Sequence, residues 1–222
     1  LAVNFRTCCS STDFIFFIAT SFIARFKEHD NVKKYIDTNK IEFDSTKPHE
    51  CHRIIANYYQ SLIPADKEYY LHHFTIENGV NRYGLIFGTA HTLGMEKFLK
   101  VCWKYDNLAG EANMNIDGNH KPGELFYVAG NSNKKDAVKE EIKEMVLSGR
   151  ITDNITGFKY ALKQKCMPNV LSEVIKELES KNKLRRIGAK SYTSTDIHKI
   201  KVGSKDYYKI ENGIPTLIER HI

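Results

Sequence analysis

Asn78-Gly79 sits between two β-prone runs, Tyr69–Glu77 and Val80–Thr89. No other feature restricts the fold of this 222-residue chain so tightly. Asn and Gly tolerate the positive φ that a type I′ turn needs at both central positions, and that turn has the twist of paired strands. The two runs are therefore predicted to form an antiparallel hairpin. Ahead of it, Asp13-Phe-Ile-Phe-Phe-Ile-Ala19 is continuously apolar, which predicts a strand buried on both faces, as in a parallel sheet. Helical spacing marks Ser21–Glu28 and Glu50–Leu62. In the second, Cys51, Ile54, Ile55, Tyr58 and Leu62 recur on one face and Pro64 ends the helix. A further helix starts at Thr92 or Leu93 and runs to about Asp106, with Met95, Phe98, Leu99, Cys102 and Trp103 as its apolar stripe. The polar, Gly-rich stretch from Asn107 to Asn133 reads as a linker with a short strand at Leu125–Val128. The predicted layout is an α/β domain over 1–110, a linker over 111–133 and a second domain over 134–222.

The second domain reads as an α+β winged helix-turn-helix. Lys134–Ser148 is predicted helical, with Ala137, Val138, Ile142 and Val146 inward and Gly149 as the stop. Ile151-Thr-Asp-Asn154 offers an N-cap for a helix over Ile155–Lys165. Met167-Pro168-Asn169 is a tight turn into a third helix, Asn169–Lys181, whose apolar face is Val170, Leu171, Val174, Ile175 and Leu178. Two short β-prone runs follow, Leu184–Ile187 and Tyr207–Ile210. Three helices, a short connection between the last two, and a basic hairpin make up the order of that motif.

Charge sharpens this reading. The chain carries a net +6, and residues 154–205 hold twelve Lys and Arg against four Asp and Glu, a local +8. A basic surface of this kind faces a polyanion, because Lys and Arg neutralise phosphates and release counterions. The candidate nucleic-acid contacts are Lys163, Lys165, Asn169, Lys176, Lys181, Lys183, Arg185, Arg186 and Lys190. Glu173, Glu177 and Glu179 lie on the third helix, and carboxylates near a groove are repelled by phosphate. The turn and wing, Lys181–Arg186, are therefore favoured over the helix for phosphate contact. Winged helices also serve as protein contacts, and that alternative stays open.

Other constellations are weaker. His49-Glu-Cys-His52 has a spacing that could face a metal on a helix, but no third ligand of ordinary spacing follows, so surface histidines are expected. His72 and His73 point to opposite faces of a strand, and at most one is assigned to the core. In Gly88-Thr89-Ala90-His91-Thr92-Leu93-Gly94 a strand gives way to a helix. An anion could sit there, but a capping turn built on Thr92 is the simpler reading. The chain lacks a GxGxxG, a GxxxxGK[ST], a GxSxG, an HExxH and the kinase motifs. Five cysteines without a CxxC pair argue against a zinc site or a disulfide framework and fit a cytoplasmic protein. The apolar run Phe14–Ala24 is shorter than the roughly 20 residues a membrane span requires, so no membrane association is expected.

Asp13–Phe26, the hairpin ending Leu85-Ile-Phe-Gly-Thr-Ala-His-Thr-Leu-Gly-Met-Glu-Lys97 and Trp103-Lys-Tyr-Asp106 resemble the three-Cys-motif partner family. Ala90 stands where that family has Asn, and Thr92 where it has Pro. Asp153–Lys183 is similar to the family's C-terminal winged-helix segment. The resemblance implies a partial Rossmann-like, class I methyltransferase-type sheet, with residues 13–19 as its fifth strand and 69–89 as its closing hairpin. It also implies a partner, an iron–sulfur radical protein bearing three cysteines. The Gly-rich donor-binding loop of such a fold is not in this sequence. The chain is thus expected to be the C-terminal portion, with S-adenosylmethionine relevant only to a full-length form, and no catalytic residue carries over. The resulting expectation is a non-catalytic module that binds DNA or RNA or supports assembly, homo-oligomers included. The alternatives are a methyltransferase-like subunit and a docking module for the radical partner.

Overall fold

The computed structural model describes residues 12–19, 29–33, 36–37, 40–41, 50–114, 133–188 and 206–210. The helix read at Ser21–Glu28, the short strand at Leu125–Val128, His49, Lys190 and the wing between its strands lie outside them. The chain divides into two compact units, Leu1–Asn131 and Ser132–Ile222.

In the first unit, β1 (Phe14–Ala19) precedes a single turn of helix, α1 (Asp30–Lys33), and α2 (Cys51–Ser61). The hairpin β2 (Tyr70–Asn78) and β3 (Asn81–Thr89) leads into α3 (Thr92–Tyr105). The sheet order is β1-β3-β2, with both neighbours antiparallel to β3. The hairpin forms as predicted, but its turn is displaced by one residue. Asn78 pairs with Asn81, so Gly79 and Val80 are the two loop residues. Gly79 has a φ of 60°, and neither Asn78 nor Val80 has a positive φ. This is the type II′ pattern, with glycine at the first central position, in place of the expected type I′. The register has a visible cause. It sets Glu77 opposite Arg82, joined by a 2.9 Å ion pair, and leaves Val80 at the exposed tip.

The reading of β1 as a parallel strand buried on both faces needs correction. It pairs antiparallel with β3, and its residues alternate in burial. Phe14, Phe16 and Ile18 pack with Ile55, Tyr59, Tyr69, Leu71 and Ile86 in the core under α2. Ile15 and Phe17 on the other face remain 59% and 64% exposed. α3 covers that face over β2 and β3, where Phe98 stacks on Phe87 at 4.6 Å. A run of unbroken hydrophobicity cannot say which of its faces is covered.

β2 is buried on both faces and along its outer edge. Thr75 N–H donates to the Glu111 carbonyl at 2.8 Å, and Asn113 N–H donates to the Thr75 carbonyl at 3.0 Å. Residues 111–113, read as the start of a linker, thus run beside the sheet, and Ala112 is fully buried. Asp106 makes this approach. Its carboxylate accepts from the N–H groups of Leu108, Ala109 and Glu111 at 3.0–3.1 Å, folding the chain back after α3.

The second unit contains α4 (Lys134–Leu147), α5 (Asn154–Lys163), α6 (Asn169–Ser180) and the antiparallel pair β4 (Leu184–Gly188) and β5 (Asp206–Ile210). The helix starts follow local chemistry. Asn133 caps α4 by accepting from Asp136 N–H, and Asp153 caps α5 by accepting from Thr156 N–H at 2.9 Å. Gly149, with a φ of 72°, closes α4 as the sequence predicts. The apolar stripe of α6 packs inward as expected: Val170, Leu171, Val174, Ile175 and Leu178 are all buried. Tyr208 N–H donates to the Thr152 carbonyl at 2.9 Å, which ties β5 to the connection between α4 and α5.

Candidate functional site

Two clusters of polar chemistry stand out, one in each unit. In the second unit the charge pattern of α6 is sorted by face. Glu173 and Glu177 turn towards α4, whose lysines recur at i, i+4 and i+8. Glu173 meets Lys135 at 2.9 Å and Lys139 at 2.6 Å. Glu177 meets Lys143 at 3.2 Å and Lys181 at 2.5 Å. Glu179, on the opposite border, meets Arg186 of β4 at 2.7 Å. Partial burial opposes the charge on Glu173, but hydrogen bonds from Lys139 and Lys135 outweigh it and hold its pKa below the usual value. Hydrogen bonds from Lys181 and then Lys143 do the same for Glu177. Donating to Glu173 and Glu177 in turn raises the pKa of Lys139 and Lys143.

Between these borders lies a strip of exposed residues, Asn169, Ser172, Lys176 and Ser180, spaced along one helix face. It contains no carboxylate. One amide hydrogen of Asn169 is donated to Glu173 at 2.9 Å. From sequence alone, the three glutamates disfavour this helix as a phosphate-facing surface. In the structure each of these glutamates is paired with a cation at the edge of the strip.

The predicted contacts separate into groups. Lys163, Lys176 and Lys183 are exposed and make no ion pair with a described carboxylate. Lys181 and Arg186 are engaged with Glu177 and Glu179, in exposed pairs of the kind that contribute about 1 kcal/mol or less. Arg185 is exposed on β4. Lys165 is half-buried and left-handed, with a φ of 58°, at the end of α5. The α4 lysines are not among the predicted contacts, although their spacing of four is the signal that could have found them.

In the first unit a buried cluster gathers His52 and Arg53 from α2, His73 and Thr75 from β2, and Glu111 from the returning loop. His52, expected at the surface, is fully buried, its Nδ1 3.1 Å from Thr75 Oγ1. The ring lies flat on β3: a Cβ on Gly84 would come within 2.0 Å of it. Burial pushes the pKa of His52 down to about 4; proximity to His73 adds to the fall, while a backbone hydrogen bond to Ile18 opposes it. His52 therefore touches all three strands and is neutral. Arg53 holds Glu111 at 2.7 Å, and His73 Nε2 lies 3.4 Å from the same carboxylate oxygen. His72, on the opposite face, sets its Nε2 2.8 Å from the Gly110 carbonyl. Both His72 and His73 are thus core residues, where one at most is expected from sequence, because the chain after α3 returns to cover the strand that carries them.

In the Gly88–Gly94 turn the Thr89 hydroxyl accepts from His91 N–H at 3.0 Å, and no side chain caps the helix that follows, in place of the capping turn built on Thr92 that the sequence suggests. The same hydroxyl donates to Asp13 at 2.6 Å, and a carboxylate already in place disfavours an anion there. Cys51, Cys102 and Cys166 are buried thiols. Burial raises the pKa of Cys51 to about 12 and of Cys166 to about 11, far from the range of a reactive thiolate. Among the described residues no group of three or more His, Cys, Asp or Glu could hold a metal ion, and no helix is long and apolar enough to cross a membrane. No protein-family model, curated protein or solved structure matches the chain.

Proposed function

We propose that the second unit is a winged helix-turn-helix module that binds nucleic acid through the outward face of α6, the turn after it and β4. One observation carries this reading: the three glutamates of α6 are all engaged by cations at its borders, leaving a polar and cationic face. The winged-helix topology is supported by the Tyr208–Thr152 hydrogen bond, which sets the α4–α5 connection against the two-stranded ribbon. Lys163, Lys176, Lys183 and Arg185 supply phosphate contact, while Lys181 and Arg186 stay with Glu177 and Glu179.

Fluorescence anisotropy with labelled random-sequence DNA and RNA, at about 50 and 200 mM salt, tests the reading on the full chain. Binding at the lower salt is expected to weaken steeply at the higher one. The combined Lys176→Ala and Lys183→Ala variant should lower the salt slope by about two, one for each phosphate that a lysine no longer neutralises. No binding at about 50 mM salt sinks the reading.

A second reading concerns the first unit. We propose a methyltransferase-like sheet of the three-Cys-motif partner type, favoured by the packing of β1 directly against the second strand of the hairpin. It rests on fold-level analogy and assigns no donor-binding residue. Calorimetry with S-adenosylmethionine and co-elution with a three-cysteine iron–sulfur protein are its tests, and silence in both removes it.

A further inference from the structure

The first unit leaves part of its sheet uncovered, on a face that the proposed function does not use. We propose that this face binds single-stranded nucleic acid, with bases stacking on Phe17, Tyr83 and Tyr105 and phosphates meeting Lys97, Lys100 and Lys104.

The site is set by how α3 lies on the sheet. Trp103 packs against Gly110, just ahead of the residues that run along the outer edge of β2. The other flank of α3, which carries Phe98, Val101 and Tyr105, therefore borders β1. Phe98 stacks on Phe87, and the register places Ile15 opposite Phe87 and Phe17 opposite Leu85 on that same face. Val101 and Tyr105 are 55% and 67% exposed, so the apolar surface of β1 continues onto the helix. Phe17 stacks on Tyr83 with ring centres 5.2 Å apart and planes 22° from parallel. Tyr105 reaches Phe74, which is the partner of Leu85 from β2 as Phe17 is from β1. The three rings thus share one level of the sheet.

Cations line the helix beside them. Lys97, Lys100 and Lys104 recur along the outward side of α3, all exposed, and none pairs with a described carboxylate. Glu96, the acidic residue of α3, is on the Trp103 flank, two turns before it. Asp13 accepts from Thr89 at the end of β1 away from Tyr83. Exposed rings next to such lysines select the occupant. Every base has a π-face that can stack on an aromatic ring, while lysines follow the phosphates. A duplex offers its grooves only base edges, so the rings have no partner there. An apolar protein partner would match Ile15 and Val101 but leave three lysines without counter-charge.

The test uses the full chain and a single-stranded probe of about 12 nucleotides, within the site sizes such surfaces occupy, made as DNA and as RNA with 5-iodouracil for photo-crosslinking. Crosslinks are expected on peptides containing Phe17, Tyr83 or Tyr105. Affinity is read by anisotropy in a chain that also carries Lys176→Ala and Lys183→Ala, so that α6 does not mask a loss. There, Phe17→Ala with Tyr105→Ala should weaken single-strand binding at least about tenfold, and Phe17→Trp should preserve it. Lys97→Ala, Lys100→Ala and Lys104→Ala together should lower the salt slope by about two. Circular dichroism checks that these surface variants fold. Crosslinks confined to residues 134–210, an unchanged affinity in the ring variant, or no single-strand binding at about 50 mM salt overturns the proposal.

Discussion

His52 shows what one side chain can impose on a sheet. Its ring occupies the space of a missing Cβ at Gly84 and reaches Thr75, so the fold requires it neutral. With a folded pKa of about 4 against about 6.5 unfolded, only the unfolded chain takes up the proton between those values. The stability that His52 contributes is therefore complete above pH 6.5 and declines as pH falls from 6.5 to 4, by about 3 kcal/mol at most. Urea midpoints at pH 7, 5.5 and 4.5 should fall in that order, and His52→Asn should flatten the trend. An unchanged pH profile in the variant would assign the acid sensitivity elsewhere. Gly84→Ala should cost at least 1–3 kcal/mol through overpacking, and adding His52→Ala should relieve part of it. Neither feature is legible in the sequence. A histidine and a glycine 32 positions apart (84 − 52) carry no sign that one makes room for the other.

Elements are more readable than their faces. Caps and stops are local chemistry, so Gly149 and an N-cap within Ile151–Asn154 announce themselves in the sequence, with the structure selecting Asp153, and the inward stripe of α6 follows from its periodicity. The hairpin turn is predicted one residue away from its position, because Asn-Gly and Gly-Val loops share the same glycine and the registers differ only in their cross-strand pairs, Glu77–Arg82 among them. β1 is evident as a strand, yet its exposed face depends on where α3 lies. Glu173 and Glu177 look like obstacles in the sequence because the helix whose lysines pair with them begins more than thirty residues earlier. Two predictions belong here. Asp153→Ala should cost about 1 kcal/mol by leaving Thr156 N–H without its acceptor, read as a shift in the urea midpoint. Lys165→Gly should stabilise by about 0.5–1 kcal/mol, since a left-handed φ of 58° strains any side chain. A loss of stability in that variant would mean that the lysine stem packs more than its backbone costs.

For the molecule as a whole, the two units place their chemistry differently. The first buries His52, His72 and His73 against its sheet, whereas the second displays its charge outward. Acid should therefore reach them unequally. Hydrogen exchange near pH 4.5 is expected to show residues 50–113 losing protection relative to pH 7 well before residues 134–180. Simultaneous loss in both segments would contradict the assignment of acid sensitivity to His52.

The hydrogen bond from Tyr208 to Thr152 sets an order of events during synthesis. Its partners are 56 residues apart (208 − 152), so α4, α5 and α6 emerge from the ribosome well before the strand that secures the connection between them. Until then the Thr152 carbonyl lacks that donor, and the helical face proposed to bind nucleic acid exists without β5. A nascent chain stalled before residue 206 would carry α6 but not β5, and whatever that chain binds reports what the helix recognises alone.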